Sequence, residues 1–177
     1  LIGTTKSEFS AFAAYQTGDD MDATLAFIES TYKQDAEAYL AAVRKAYPDT
    51  AKASDYLAID FRFRRGAIRD ANILVGAGHD RTYMYLFAWQ SPIDDGSLKS
   101  MHCMELPFVF NNIELGRELT GGGKDAQKLA GAVSDAWISF ARTGKPGSPD
   151  LPTWPAYTID NGETMVIDSV SKLRHHH

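Results

Sequence analysis

Three short, apolar, β-prone runs separated by long stretches of helical periodicity constrain the fold of this chain most strongly. The runs lie at 1–5, 82–89 and 164–167. The middle run is rich in aromatic residues and bounded by glycine and Ser91-Pro92, which is typical of a buried strand. The order strand, helices, strand, helix, strand predicts an α/β fold, mostly helical, with about three strands. So few strands make a poor stand-alone sheet, and the sheet is expected to be incomplete in this chain.

Helical periodicity fills the intervals between these runs. Asp19, Asp20 and Asp22 predict the cap of a first helix. The remaining apolar repeats predict helices that run to residue 32, over 36–47, over 51–74 including Phe61, and from Gly121–Gly123 to Gly144. The opening run has no methionine, turn or cap ahead of it and is expected to be a strand cut from a larger protein.

Charge and hydropathy exclude two classes of partner. The net charge of -5 argues against a surface that follows the phosphates of a nucleic acid. The basic cluster Arg62, Arg64, Arg65 and Arg69 has helical spacing and is expected to be a solvated helix face with ion pairs. The apolar runs are far shorter than the roughly 20 residues of a bilayer span, so no membrane partner is expected.

The single cysteine, Cys103, excludes an internal disulfide, and the sequence has no Asn-x-Ser/Thr sequon. A reducing, cytoplasmic location is therefore expected. The terminal His175, His176 and His177 look like the remnant of a purification tag and are left out of any metal argument.

One histidine stands in a segment of unusual composition. The segment Ser100-Met101-His102-Cys103-Met104-Glu105-Leu106-Pro107-Phe108-Val109-Phe110 follows the aromatic strand and a connecting loop. Taken alone, a histidine beside apolar residues is more often a structural one whose hydrogen bonds are satisfied locally. The surrounding residues change that interpretation.

Four segments carry a resemblance to a known family. They are the histidine segment 102–110, the opening Leu1-Ile2-Gly3-Thr4-Thr5-Lys6-Ser7-Glu8-Phe9, the strand 85–89, and Trp137-Ile138-Ser139-Phe140-Ala141-Arg142-Thr143-Gly144-Lys145-Pro146 with 151–157. In this order and spacing the chain resembles the C-terminal part of the type B carboxylesterases, the α/β-hydrolase family of the bacterial nitrobenzyl esterases and the cholinesterases. It departs from the family at Ser7, Phe9, Ala88 and Cys103, where Asp, Gly, Asp and Gly are usual.

The resemblance implies carboxylic ester hydrolysis through an acyl-serine intermediate, without a cofactor. It implies that His102 is the general base and that Glu8 is the acid that orients it. It also assigns 1–171 to the C-terminal portion of a hydrolase domain and 172–177 to a tail. Neither G-x-S-x-G nor a His-Gly-Gly-Gly run occurs in the sequence. The serine is therefore expected in an N-terminal portion of the same enzyme. The expected partners of the chain are this N-terminal portion and a small-molecule ester. The chain alone is expected to be inactive.

The other candidate residues favour structural roles. Gly121–Gly123 lacks a preceding strand and is interpreted as a loop, not an oxyanion hole. Cys103 is expected to be a packing residue. Glu105 would fall near His102 if the segment turns, but a buried, hydrogen-bonded structural carboxyl is the favoured interpretation. His79-Asp80 is expected to be an exposed polar pair, because it sits in a glycine-containing turn. No second His, Cys or Glu stands at ligand spacing to indicate a metal site.

Two other functions remain open. In one, the parent protein is a cholinesterase-like binding or adhesion module that keeps the hydrolase fold without its chemistry, and a serine in the upstream segment would discriminate against it. In the other, the chain is an autonomous helical interaction domain, which would unfold cooperatively by itself.

Overall fold

One four-stranded sheet organises the chain in the structure, a computed structural model that describes residues 1–48, 50–60 and 62–177. The strands are β1 (Ile2–Thr5), β2 (Met84–Phe87), β3 (Glu163–Ile167) and β4 (Lys172–His175), in spatial order β1-β2-β3-β4. β2 pairs parallel with both β1 and β3, and β4 pairs antiparallel with β3. The α/β fold class predicted from the sequence is therefore confirmed, with four strands where about three were expected.

Helices fill the long connections of the sheet. They are α1 (Ser10–Thr17), α2 (Met21–Tyr32), α3 (Ala36–Ala46), α4 (Arg62–Gly76), α5 (Leu106–Val109), α6 (Arg117–Thr120) and α7 (Lys124–Thr143). Asp20 caps α2 as expected, because its Oδ1 accepts a hydrogen bond of 3.0 Å from the Ala23 N–H. α7 ends at Gly144, whose φ of 75° is the left-handed conformation that favours glycine.

Three elements differ from the sequence prediction. The helix expected over 51–74 is a 3₁₀ turn at Ala53–Tyr56 followed by α4, and Phe61 lies outside the described residues. α1 was not predicted, because its eight residues carry half-exposed aromatic side chains and no clear apolar stripe. β4 lies in the segment that was expected to be a tail, and backbone pairing with β3 forms it despite its exposed side chains.

Both faces of the sheet are covered by helix, which explains why β2 is apolar throughout. Phe87 on β2 and Ile167 on β3 are fully buried in the same cluster as α7 residues such as Val133. On the opposite face, Met84 packs with Ala71 of α4. A strand that is buried on both faces carries no polar alternation, and the sequence of β2 follows this rule.

A glycine sets the close approach of the first two strands. Gly3 pairs with Tyr85, and a Cβ at residue 3 would lie 2.3 Å from the Tyr85 ring. The ring instead covers the glycine and packs edge-on against Trp137, 5.1 Å between centroids. Gly3 therefore leaves the space in which Tyr85 bridges β1 and α7.

The arginine cluster is not uniformly solvated. Arg62, Arg65 and Arg69 are exposed, but Arg64 is buried at 9% exposure. Its guanidinium donates to the Tyr85 carbonyl oxygen at 3.2 Å and to Oγ1 of Thr164 at 3.1 Å. The prediction of a solvated face was wrong for Arg64, because α4 lies across the sheet and turns this residue toward β2 and β3.

Among the helices of the described ranges, none is both long and apolar enough to cross a membrane.

Candidate active site

The carboxylate of Glu8 is held in place by the turn that follows β1. Its Oε1 accepts a hydrogen bond of 2.7 Å from the Thr5 N–H, and the Glu8 N–H donates to Oγ1 of Thr5 at 3.0 Å. The φ of Glu8 is 41°, an uncommon value for a residue with a side chain. This reciprocal pair fixes the direction in which the carboxyl leaves the backbone.

The loop that carries His102 is attached to the same turn. The Ser7 N–H donates to the Ser100 carbonyl at 3.1 Å, and the His102 N–H donates to the Glu8 carbonyl at 3.3 Å. Glu8 and Met101 form an isolated parallel bridge outside the named strands, between the turn after β1 and the loop that carries His102. Because the carboxyl ends of parallel strands meet at one edge of a sheet, the topology brings the two segments together.

Glu8 and His102 are joined side chain to side chain. Oε2 of Glu8 lies 2.5 Å from Nδ1 of His102, across 94 residues of sequence. A carboxylate oxygen only accepts, so in the neutral imidazole this contact favours the tautomer with its proton on Nδ1, in which Nε2 is an acceptor. No hydrogen bond to Nε2 exists within the described part of the chain. The Glu8 side chain is 6% exposed and that of His102 43%, so the pair is an anchored carboxylate and an accessible imidazole.

Phenylalanine rings flank the imidazole. The Phe9 ring lies 4.5 Å from the His102 ring, centroid to centroid, with 27° between their planes. Phe63 lies 6.2 Å from the same imidazole, and Phe9 and Phe63 are 5.8 Å apart. Phe12 stacks on Phe9 at 6.3 Å. An apolar, half-exposed surface therefore adjoins the histidine.

Asp60 ties the start of α4 to the same framework. Its N–H donates to the Lys6 carbonyl at 2.9 Å, and its Oδ2 accepts from the Phe63 N–H at 2.8 Å and the Arg64 N–H at 3.1 Å. Burial raises the pKa of the Asp60 carboxyl, and the charge of Glu8 adds to the rise. Asp60 thus connects Phe63 to Lys6, which stands two residues before Glu8, through one hydrogen bond to each.

A buried ion pair supports the loop just before His102. Nζ of Lys99 lies 2.5 Å from Oδ1 of Asp55, and the side chains are 3% and 17% exposed. Burial by itself would raise the pKa of Asp55, but the hydrogen bonds from Lys99 and from the Lys52 N–H lower it below its ordinary value. The pair connects the 3₁₀ turn at Ala53–Tyr56 to the residues that lead into Ser100.

Glu105 is a second carboxyl near the pair. Burial raises its pKa, the charge of Glu8 raises it further and His102 opposes the rise. Its Oε2 is buried and has no hydrogen-bond partner among the described residues. At Oε2 the carboxyl is buried as expected but has no hydrogen bond with a described residue. A hydrogen bond from the backbone of Glu105 itself lowers the pKa of the carboxyl and so opposes the effect of burial.

The remaining candidates do not join the site. Cys103 is exposed, so the expectation of a packing residue was wrong. Its backbone has a positive φ of 68°. Burial raises the pKa of its thiol, as do the charges of Glu105 and Glu8, which disfavours the thiolate that a nucleophile requires. Gly121–Gly123 links α6 to α7 beside Pro92 and Arg117.

His79 and Asp80 form an exposed turn after α4, as expected. Across residues 1–48, 50–60 and 62–177, no three His, Cys, Asp or Glu side chains are grouped so that they could hold a metal ion.

The sequence did not predict that Phe9 and Phe63 lie beside His102, or that Asp60 bonds to both Lys6 and Phe63. The signal for Phe9 was present, because a bulky ring stands beside Glu8 where the resembled family has glycine. Nothing comparable marked Phe63 or Asp60, since their proximity to His102 depends on how α4 crosses the sheet.

Comparison with protein families gives a match over the whole chain. A family model described as "Carboxylesterase family" matches residues 1–177. A para-nitrobenzyl esterase of Bacillus subtilis (strain 168) is 31% identical over 176 residues, which cover 96% of this chain and 34% of the relative. A phenmedipham hydrolase of Pseudarthrobacter oxydans is 34% identical over 87 residues, or 47% of this chain and 18% of the relative.

Solved structures agree with these sequence matches. An esterase from Clostridium hathewayi that can hydrolyse aliphatic aromatic polyesters is similar with a TM-score of 0.79 and 28% identity, covering 98% of this chain and 34% of that one. A carboxylesterase of Geobacillus stearothermophilus has a TM-score of 0.65 and 28% identity, covering 98% of this chain and 37% of that one. The chain therefore spans about a third of the length of these relatives.

Proposed function

The chain belongs to the carboxylesterase family, and from this premise we propose that it supplies the catalytic acid and histidine of a serine esterase. In this proposal Glu8 is the acid, His102 is the general base, and a serine outside residues 1–177 is the nucleophile. The observation that carries it is the hydrogen bond between Nδ1 of His102 and Oε2 of Glu8, which leaves Nε2 free.

The proposed reaction uses Nε2 twice. In the first step Nε2 takes the serine proton while the serine oxygen attacks the ester carbonyl carbon, and the proton then passes to the leaving alcohol as the acyl-serine forms. In the second step Nε2 takes a proton from water, which attacks the acyl-serine. The proton returns to the serine oxygen as the carboxylic acid leaves. Glu8 holds the ring orientation and stabilises the imidazolium that forms in each step.

The chain needs complementary parts under this proposal. Its sequence contains neither the G-x-S-x-G motif, the elbow that carries the serine nucleophile, nor a His-Gly-Gly-Gly loop. The nucleophile and the oxyanion donors therefore come from the N-terminal portion of the same enzyme in this proposal. Residues 1–171 are then the C-terminal portion of the hydrolase domain, and the chain alone is inactive. A reducing, cytoplasmic setting belongs to the same proposal and rests on the single Cys103.

The proposed substrate is a small-molecule carboxylic ester. The relatives include a para-nitrobenzyl esterase and an esterase that acts on aliphatic aromatic polyesters. The apolar surface beside His102 supports the same class, because phenylalanine rings favour contact with apolar groups of a substrate.

Hydrolysis of 4-nitrophenyl acetate tests the proposal with three proteins: the longer enzyme that contains this chain, its His102→Ala variant, and the chain alone. We expect His102→Ala to reduce kcat about 10⁶-fold, by analogy with the loss of the triad histidine in subtilisin. His79→Ala is the matched control, because His79 is also exposed but lies in the turn after α4, and it should leave turnover unchanged.

Two results would contradict the proposal. Turnover that survives His102→Ala would remove this histidine from the mechanism, and turnover by the chain alone would remove the need for an external serine. A longer protein that has no serine at the elbow and no turnover would instead favour the binding or adhesion function.

A further inference from the structure

We propose that Asp55 and Lys99 are positioning residues for the esterase reaction, because their ion pair sets where the loop after β2 presents His102 to Glu8. The inference rests on the proposed function, in which Nε2 of His102 moves the protons. It goes further by assigning a role in the reaction to two residues outside the acid–histidine pair.

The ion pair joins two segments that are 44 residues apart in sequence. Nζ of Lys99 lies 2.5 Å from Oδ1 of Asp55, and the Lys52 N–H donates to Oδ2 of Asp55 at 3.1 Å. The carboxylate is therefore fixed at both oxygens within the 3₁₀ turn at Ala53–Tyr56. The side chains of Lys99 and Asp55 are already 3% and 17% exposed within this chain, and further parts of the enzyme can only bury them more. A charge-assisted hydrogen bond of this kind is short and directional.

The backbone of Lys99 is the point at which the loop turns toward the site. Its φ is 51°, a left-handed value that persists for a residue with a side chain only where the surrounding contacts hold it. Its carbonyl accepts the Ser91 N–H at 3.1 Å, and its own N–H donates to the Gly96 carbonyl at 3.1 Å. Because Asp55 holds the ammonium group, both the backbone and the side chain of Lys99 are anchored.

Only two residues separate Lys99 from His102. The first, Ser100, is fully buried, and its hydroxyl donates to the Phe87 carbonyl at 2.8 Å, so it holds the segment against the end of β2. Such a short segment cannot absorb a displacement of Lys99 and passes it on to the imidazole. Nδ1 of His102 lies 2.5 Å from Oε2 of Glu8, and a misplacement of about 1 Å can cost a factor of about 100 in rate.

A second ion pair between the same two segments provides the comparison. Nζ of Lys52 lies 2.6 Å from Oδ2 of Asp95, but these side chains are 37% and 97% exposed. Exposed pairs contribute little, because both partners remain hydrated and mobile. Lys52→Met is therefore a matched control for Lys99→Met, since it makes the same substitution in the other pair and leaves the Lys52 N–H in place.

The test measures kcat and KM of the longer enzyme for 4-nitrophenyl acetate, and urea unfolding of the same protein. Lys99→Met and Asp55→Asn should each lower kcat about ten- to hundredfold and change KM less than about twofold. Asparagine keeps the shape of the side chain but has one acceptor for the two donors, so it gives an answer even if Lys99→Met fails to fold. Lys52→Met should leave both constants unchanged.

A double variant separates positioning from stability. Lys99→Met combined with Asp55→Leu replaces the ion pair by apolar side chains, a change that often keeps or raises stability. Its urea midpoint should therefore recover toward that of the wild type. Its kcat should stay low, because an apolar contact has no direction and does not restore the position of the loop.

Proton NMR reports directly on the acid–histidine contact. The proton between Nδ1 of His102 and Oε2 of Glu8 should give a signal far downfield, because the hydrogen bond is short. This signal should move or weaken in the Lys99 and Asp55 variants and stay unchanged in Lys52→Met.

An unchanged kcat in folded Lys99→Met or Asp55→Asn would overturn the proposal, as would an unchanged downfield signal in these variants. A double variant that regains both its midpoint and its kcat would also overturn it, because activity would then follow stability alone. His102→Ala is measured in parallel. If it retains turnover, the proposed function fails, whereas turnover that needs His102 but not the ion pair refutes the positioning role alone.

Discussion

Both carboxylate oxygens of Glu8 are engaged, and one of them lies 2.5 Å from Nδ1 of His102. The other accepts the Thr5 N–H at 2.7 Å. Two donors therefore require two acceptors from a single side chain. This double requirement restricts which residue could replace Glu8.

Glu8→Gln is expected to reduce kcat about 10⁴-fold, by analogy with the loss of the orienting carboxylate in serine proteases. Glutamine has one amide oxygen for two donors, the Thr5 N–H and Nδ1–H of His102. If the amide oxygen stays with Thr5, the NH₂ group faces the imidazole and favours the tautomer that is protonated at Nε2. Steady-state hydrolysis of 4-nitrophenyl acetate by the longer enzyme measures this. A loss smaller than tenfold in a folded variant would mean that the acid lies elsewhere.

Lys99→Met is expected to destabilise the longer enzyme that contains this chain by about 3 kcal/mol, because it leaves the Asp55 carboxylate largely buried and without its cationic partner. Urea unfolding measures the loss. The matched control is Lys52→Met, which removes the exposed pair with Asp95 and should change the unfolding midpoint far less.

The same variant has a predicted pH dependence. The pKa of Asp55 is lowered in the folded chain. The stabilisation by the Lys99–Asp55 pair is therefore fully present at pH values above the ordinary aspartate pKa, and it is lost as the pH falls through the lowered pKa of the folded state. The difference between the wild type and Lys99→Met should therefore shrink below about pH 4. A difference that stays constant down to acid unfolding would argue against the ion pair.

Glu105→Gln is expected to raise the thermal unfolding midpoint of the longer enzyme that contains this chain at pH 7 but not at pH 4. Burial raises the pKa of Glu105 in the folded chain, so the ionised form is disfavoured there. The contribution of Glu105 to stability is therefore fully present at pH values below the ordinary glutamate pKa. It is lost as the pH rises through the raised pKa of the folded state. Glutamine never ionises and escapes this loss. A lower midpoint at pH 7 would show that Glu105 has a stabilising ionic partner.

Gly3→Ala and Gly131→Ala are expected to have opposite effects. A Cβ at residue 3 would meet the Tyr85 ring at 2.3 Å and must displace it, at a cost of about 1–3 kcal/mol. A Cβ at residue 131, inside α7, would meet no atom within 4 Å beyond its chain neighbours and the backbone of its own helix, so alanine should stabilise the helix by about 1 kcal/mol. Urea unfolding of both variants measures the two signs. Equal destabilisation would contradict the account of the β1–β2 contact.

The parts of the fold that depend on local pattern could be predicted. The apolar run of β2, the Asp20 cap of α2 and the Gly144 end of α7 each depend on residues close in sequence. Glu8 and His102 came from the resemblance of their segments to a family. The structure brings the two side chains together, and their catalytic roles remain predictions.

The parts that depend on contacts between distant segments could not be predicted. Arg64 resembled its exposed neighbours in sequence, but α4 turns it toward β2. β4 is polar and exposed, so only its pairing with β3 marks it as a strand. The proximity of Phe63 to His102 follows from the Asp60 link to Lys6, which no sequence pattern records.

The parallel pairing of β1 with β2 has a consequence for biosynthesis. Ile2 pairs with Met84, so about 80 residues must be made and brought together before the first two strands can join. The loop of His102 is made later still. As the ribosome releases the chain from its amino end, the carboxylate of Glu8 emerges well before its imidazole partner. The residues of α1 to α4 are all synthesised in that interval, so the acid–histidine pair cannot be completed before these helices have been made.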